Sequence, residues 1–418
     1  MKTRFLIFLV VVGLAEIYSF IAVRSALKPV PGVWRVSLMS LYILATVATW
    51  SSFILFRYLN WAAMPHLVRN IFVAFTIGFW VGKILVGSVM VIDDIRRLFM
   101  WFIGSFFSPS IKEVASDMGL GSEITRSVFL KRLALLAGGT ALGGFMFGIT
   151  NRYNYKIRRI SLSFDNLPAA FKGMKIVQIS DIHSGSFDDH RAVARGAEAV
   201  MEEQPDIIFF TGDLVNNKAD EIKPYKDIFA QLSAPLGVYS TLGNHDYGDY
   251  VQWPSDEAKK QNLEDLKQTH ADMGWKLMMN EHVVLERGDD KIAVVGIENW
   301  GAKAGFPKYG DMSKAYEGLA EKNIPFKVLL SHDPSHWDNQ VQQEYKDIDL
   351  TLSGHTHGMQ FGIEIPGFKW SPVKYVYKNW AGLYNEGRQY LYVNRGFGFL
   401  GYPGRLGILP EITVIELT

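Results

Sequence analysis

The chain has 418 residues, with 43 Lys and Arg set against 42 Asp and Glu, and a net charge of +1 gives no electrostatic footprint for nucleic acid. It contains no Cys, which excludes a disulfide framework, thiolate metal ligation and a thiol nucleophile. Hydrophobic residues make up 48% of the chain and crowd into the part before residue 150, so a membrane-embedded region is expected ahead of a soluble one.

In chain order, residues 5–23 are apolar apart from Glu16, and residues 36–56 carry no charge. Segment 70–92, which contains Lys83, and the Gly-rich segment 133–150 complete four expected membrane-spanning helices. Each is long enough for a hydrocarbon core of ~30 Å. The apolar run 98–107 is too short to cross and is expected to lie at the interface or re-enter. Glu16 and Lys83 would each cost about 2.5–3.5 kcal/mol if isolated at mid-bilayer. Pairing inside a bundle and snorkelling from a helix end both relieve that cost, and the sequence leaves both open. The Gly139/Gly143 and Gly144/Gly148 spacings permit close helix packing.

Basic residues in the flanking loops divide nine to eight between the two orientations, close to a tie. Thr125 to Lys131, followed by a Gly/Ala-rich apolar stretch, resembles a twin-arginine export signal in which Ser127 stands where the second Arg would be. On that feature the chain is expected to be a multi-pass protein of the cell membrane, with its soluble domain on the extracytoplasmic side.

Residues 1–150 are thus read as a membrane domain, 151–159 as a short basic linker and 160–418 as an α/β domain. Helical patterns cover 191–204, 221–232, 255–273 and 312–321, with Gly or Pro between them. Apolar runs at 175–180, 206–211, 238–242, 327–330 and 348–352 read as buried strands, joined by 292–297 and 412–417. No internal repeat is present.

After five of these strands comes a short polar motif: Asp181-Ile182-His183, Gly212-Asp213, Gly243-Asn244-His245-Asp246, Ser331-His332-Asp333 and Gly354-His355-Thr356-His357. Strand ends that open into loops are where α/β sheets gather functional groups from distant sequence. Carboxylates, an amide and imidazoles converging there suit Mn, Fe, Zn or Co better than Ca. A pair of such ions is the usual clamp for both oxygens of a phosphoryl displacement. His190, His270, His282 and His336 fall outside the motifs and read as surface or structural residues.

The ordered series Asp-x-His, Gly-Asp, Gly-Asn-His-Asp, His, Gly-His-x-His resembles the calcineurin-like metallophosphoesterase superfamily, and its surroundings resemble the membrane-associated bacterial phosphohydrolases within it. The resemblance covers 160–418. It implies a four-layer α-β-β-α sandwich, with Asp181, His183 and His357 on one divalent metal, Asn244, His332 and His355 on a second, and Asp213 bridging them. It further implies attack by a metal-bridging hydroxide, with His245 as general acid and Asp246 orienting or electrostatically supporting its ring. Where the family often has Gly-Asp-x-x-Asp, Asn216 takes the last place.

Arg395 and Arg405 lie in a Gly-rich segment and read either as phosphate contacts or as structural salt bridges. Between Phe361 and Tyr384 aromatics interleave with lysines, which fits an interfacial segment or a packed loop. The leading expectation is a membrane-anchored phosphohydrolase acting on a phosphoester or pyrophosphate bond, with a lipid-linked or envelope phosphate as candidate substrate. The alternatives are a non-catalytic, metal-binding regulator of the membrane bundle and an accessory domain of a transporter.

Overall fold

The computed structural model describes residues 2–55, 58, 64–106, 126–303 and 305–418. The chain divides into two compact units, Met1–Phe147 and Gly148–Thr418.

Among the described residues of the first unit four helices follow one another: α1 (Lys2–Ala26), α2 (Gly32–Leu55), α3 (His66–Phe106) and α4 (Arg126–Gly148). By length and composition, Gly32–Ser52, His66–Phe102 and Val128–Asn151 could cross a membrane. The expected span at 5–23 lies within α1, while Phe56, Thr125 and Phe107 lie outside the described residues. The stretch 98–107 is not a separate interfacial piece, because its described part, to Phe106, continues α3. The charged residues between 92 and 98 are compatible with helix: Asp93 holds Arg96 and Arg97, one turn on, at 2.8 Å each.

Glu16 and Lys83 resolve their cost by pairing. Lys83 Nζ lies 2.7 Å from Glu16 Oε2 and 2.9 Å from Thr46 Oγ1, is 3% exposed, and sits 4.2 Å from the Phe79 ring centre.

The second unit contains β1 (Lys156–Leu162), β2 (Lys175–Ile179), α5 (His190–Glu202), β3 (Ile207–Thr211), α6 (Lys226–Phe229), β4 (Val238–Thr241), α7 (Asp256–Asp272), β5 (Lys276–Leu277), β6 (Glu281–Arg287), β7 (Asp290–Gly296), α8 (Met312–Ala315), β8 (Phe326–Leu330), β9 (Leu350–Ser353), β10 (Ile363–Ile365), β11 (Phe368–Trp370), β12 (Gly382–Glu386), β13 (Gln389–Val393) and β14 (Glu411–Leu417). Two six-stranded sheets form, ordered β1-β14-β2-β3-β4-β5 and β12-β13-β9-β8-β7-β6, while β10 and β11 pair only with each other.

Alternation of side chains along the strands builds the layers. On β3, Ile207 and Phe209 point between the sheets, with Ile292, Val294, Val328 and Leu350 of the second sheet. Ile208 and Phe210 point the other way, onto Val193 and Val200 of α5 and Leu266 of α7. On the far side Val295, Leu329 and Leu391 pack with Met312 and Ala315 of α8 and with Trp337. The result is the helix-sheet-sheet-helix sandwich. The stretch 151–159 is not simply a linker: Lys156 to Leu162 pairs in parallel with β14 over seven positions. An edge strand carrying Lys156, Arg158 and Arg159 shows little apolar alternation, which hid it in the sequence.

Candidate metal centre

The polar motifs all follow the carboxyl ends of parallel strands. β2 delivers Asp181 and His183, β3 Asp213, β4 Asn244, β8 His332, and β9 His355 and His357. Because β2–β4 and β8–β9 belong to different sheets, the site closes across the sandwich edge. Backbone bonds tie the loops together: Asp181 N–H donates to Gly212 O at 2.9 Å, His183 N–H to Asp213 O at 3.1 Å, and Gly354 N–H to His332 O at 2.9 Å.

Two glycines of the motifs are there for space. A Cβ on Gly243 would lie 2.2 Å from Asp213 Oδ1, and one on Gly354 would lie 2.0 Å from Ser180 Oγ. Five of the seven expected ligands have left-handed backbone: Asp181 (φ 53°), His183 (49°), Asp213 (62°), His355 (72°) and His357 (48°). Each such L-residue costs roughly 1–2 kcal/mol, a strain that clusters at functional sites.

All seven expected ligands meet. Asp181, His183 and His357 form one group and Asp213, His332 and His355 another, with the ligand atoms of each within 4.8 Å of one another. Asp213 reaches both groups, its Oδ2 lying 3.1 Å from His332 Nε2 and 3.5 Å from His183 Nε2. Asn244 joins the second, its Oδ1 lying 2.8 Å from His355 Nδ1. Its Nδ2 donates to Tyr250 Oη at 2.8 Å, which fixes the oxygen inward.

The residues fit divalent cations. His183 Nε2 and His357 Nε2 are 3.0 Å apart, the separation of two neighbouring ligands on one ion with bonds of ~2.1 Å at right angles. His332 Nε2 is buried and faces Asp213 Oδ2 at 3.1 Å without the geometry of a hydrogen bond, and a cation held between the two would satisfy both atoms.

Electrostatics point the same way. Burial lowers His183 to about 3 and lowers His355, and burial together with the neighbouring His183 holds His357 well below its ordinary value. Neutral imidazole is the ligating form. Burial would raise Asp213, yet the His332, His245 and His183 rings hold it well below the usual carboxylate range. Against the penalty of burial, Asp213 in turn lifts His332 to about 10. Burial raises Asp181 to about 6, opposed by His332 and reinforced by Asp213. The cluster demands positive charge in its middle.

His245 is half-buried at the same edge, its ring centre 5.0 Å from that of His183. Its Nδ1 lies 2.7 Å from the carbonyl oxygen of Asn216. A proton on Nδ1 satisfies that bond and leaves Nε2 as the nitrogen that gains or loses a proton. Asp246 does not orient this ring. Its carboxylate instead accepts backbone N–H groups from Asp213 (2.9 Å), Leu214 (2.8 Å), Val215 (3.2 Å) and Gly243 (2.9 Å), so it braces the Asp213 loop. Burial and the Asp213 charge raise its carboxyl to about 7, against the pull of those donors.

The two arginines also differ from a substrate-binding role. Arg395 is 2% exposed and held by Glu364 (2.6 Å) and Glu411 (2.5 Å). Arg405 is fully buried, donates to Arg395 O at 2.7 Å and Gly396 O at 3.1 Å, and lies 3.2 Å from His357 Nδ1. It supports the backbone around His357.

Tyr377 was not singled out from sequence as a site residue. Its Oη lies 2.8 Å from His355 Nε2 and donates to Asp333 Oδ2 at 3.2 Å. No motif marks it, because it arrives from 22 residues beyond His355. Of the other histidines, His270 and His336 are buried structural residues and His190 is exposed.

Two family profiles match the chain: "Calcineurin-like phosphoesterase" over residues 174–359 and "Probable Calcineurin-like phosphoesterase, transmembrane domain" over residues 3–152. A transmembrane protein with metallophosphoesterase domain from Danio rerio is 31% identical over 63% of this chain, a match that spans only 57% of that relative's length. Metallophosphoesterase YkuE of Bacillus subtilis is 30% identical, over 71% of this chain and 98% of its own. The UDP-2,3-diacylglucosamine pyrophosphatase LpxG of Chlamydia trachomatis is 27% identical, over 56% of this chain and 81% of its own.

Proposed function

Since the chain belongs to the calcineurin-like phosphoesterases and is a metal-dependent phosphohydrolase, we propose that it cleaves a phosphoester or pyrophosphate bond in a lipid-linked substrate, at a centre of two divalent cations. The observation that carries this is the pair of buried ligand groups joined by Asp213. Asp181, His183 and His357 would hold one ion, and Asn244, His332 and His355 the other. When bound, the ions supply a water of lowered pKa and neutralise charge on the phosphoryl oxygens.

The chain's own groups do the rest. Asp246 and the left-handed loop backbone keep the ligands in place without reorganisation, which is the condition for electrostatic stabilisation to act fully. His245, aligned by the Asn216 carbonyl, presents Nε2 to protonate the departing oxygen. The lipid-linked class rests on the membrane helices and on the relative whose name gives a diacylated sugar nucleotide as what it acts on. The multi-pass arrangement with an extracytoplasmic catalytic domain rests on the helices and on the export-like segment ending at Lys131.

The test uses the full chain in nanodiscs with Mn²⁺, assayed on bis-p-nitrophenyl phosphate beside measurement of bound metal. The expected result is two ions per chain, and a loss of at least ~10²-fold in turnover for Asp213→Asn. Equal turnover of the two proteins, or fewer than two ions on the wild type, would overturn the two-cation centre.

A further inference from the structure

Among the described residues of the second unit, nine large apolar side chains are exposed, and seven of them lie between residues 359 and 383. At the centre of this patch is the β10–β11 hairpin, joined by Pro366-Gly367 with Gly367 at φ 78°. Its register pairs Ile363 with Trp370, Glu364 with Lys369 and Ile365 with Phe368. Ile363, Ile365, Phe368 and Trp370 therefore share one face, and Glu364 and Lys369 share the other.

The polar ends of the hairpin's charged face are held by the protein: Glu364 binds Arg395 at 2.6 Å and Arg158 at 2.7 Å, and Lys369, itself exposed, donates from Nζ to Ala381 O and Tyr384 Oη. Three of the four side chains on its apolar face meet solvent, with Ile363 50%, Ile365 58% and Phe368 52% exposed, while Trp370 is half-buried beside Phe361. Beside it Tyr375 and Val376 are exposed between the exposed Lys374 and Lys378. An exposed apolar hairpin face followed, within a few residues, by an exposed apolar segment flanked by cations has the composition of an interfacial membrane contact.

Chain connectivity puts a bilayer within reach. The last candidate span ends at Asn151, and Arg158, which grips Glu364, follows seven residues later. Seven extended residues cover at most ~25 Å.

We propose that the hairpin 363–370 and the segment 374–378 lie in the headgroup region of an anionic bilayer, next to the ligand-bearing loop of His355 and His357. This rests on the membrane-anchored reading above, and it would make the enzyme draw its substrate from the lipid surface. Ile365 and Phe368 seat among the headgroups, while Lys374 and Lys378 meet lipid phosphates.

The absence of native Cys makes the test direct. Single Cys replacements at Phe368 and Ile365 in the full chain carry a polarity-sensitive fluorophore in vesicles of phosphatidylcholine and phosphatidylglycerol, with spin-labelled lipid as quencher. Leu41→Cys, in the candidate span Gly32–Ser52, reports insertion, and Glu264→Cys, on α7 and 61% exposed, reports water. Quenching at Phe368→Cys and Ile365→Cys severalfold above Glu264→Cys is expected, and it should fall when Lys374→Glu and Lys378→Glu are added.

Quenching no greater than at Glu264→Cys, with Leu41→Cys quenched, overturns the proposal and spares the membrane anchor. An unquenched Leu41→Cys overturns the anchor and the proposal together. A blue shift at Phe368→Cys that follows protein density and ignores the lipid quencher means that a second copy covers the face, which also overturns it. Phe368→Asp should lower hydrolysis of a bilayer-borne phosphodiester severalfold with bis-p-nitrophenyl phosphate turnover unchanged, and equal rates on both would overturn capture from the lipid surface.

Discussion

Two charge clusters are buried in the catalytic unit, linked through Arg405, and they solve burial in opposite ways. Around Arg395 each charge is paired within the protein: Glu411 accepts from Arg395 (2.5 Å), Tyr392 (2.6 Å) and Thr413 (2.6 Å), and Glu364 takes the other side of the guanidinium and Arg158. Around Asp213 the network does not close: two carboxylates, four imidazoles and an amide converge, and the ring nitrogens of His183 and His357 face each other at 3.0 Å. A closed network of this kind is architecture. An open one calls for charge from outside, and that contrast separates site from scaffold better than the residue types do.

The sharpest way to break the contrast is to open the closed cluster. Arg395→Met leaves buried Glu411 with two hydroxyl donors and only the more distant Arg158, 3.6 Å away, as a cation, and removing one partner of a buried pair costs about 3–5 kcal/mol. Denaturation of the full chain should show that loss, while metal content and turnover per folded molecule stay at the wild-type level. A loss of turnover without destabilisation would return Arg395 to substrate binding.

The complementary experiment empties the open cluster. Stripping divalent cations with a chelator should lower stability by ~4 kcal/mol relative to cation at a thousand times its dissociation constant. The same treatment of Asp213→Asn should change little, because its cation affinity is already impaired. Identical melting of wild type with and without cation would mean that the cluster closes by protonation instead.

Next in size is His245→Ala. A lost general acid costs about 10²-fold or more where the leaving oxygen is basic. Much less should be lost with p-nitrophenol, and the bound metal should be unchanged. A uniform loss on both substrates, accompanied by loss of metal, would make His245 a structural part of the centre.

How legible these clusters were in the sequence follows from how they are built. Asp181, Asp213, Asn244, His332 and His355 each sit within a few residues of the end of an apolar strand, so local order announces them. Asp246 lies inside a motif, yet its partners are backbone N–H groups 31 to 33 positions earlier and one at Gly243. That role exists only once two loops meet. Arg395 and Arg405 offered guanidinium groups near glycines, a pattern shared by phosphate contacts and by buried salt bridges. The hairpin 363–370 showed its aromatics and lysines without showing which face would turn outward. The sandwich was legible from alternation, whereas β1 carries charges on an edge and α3 runs through charges that pair along the helix.

The effect that is smallest near neutral pH, and grows only as the solution is acidified, lies away from both clusters, at a single buried ring. His270 is fully buried on α7 with Nδ1 3.0 Å from Ser240 Oγ, and burial lowers it to about 3. Its unfolded value is near 6.5, so the unfolded chain binds the proton first as pH falls. The contribution of the neutral ring is complete above pH ~6.5 and is lost between about 6.5 and 3, at up to ~1.4 kcal/mol per pH unit. Measured on cation-free protein, so that ligand protonation at the open cluster is common to both chains, His270→Gln should flatten the acid limb of stability by that slope. An unchanged limb would mean that the ring is already protonated in the fold, and that Ser240 accepts from an imidazolium despite its burial.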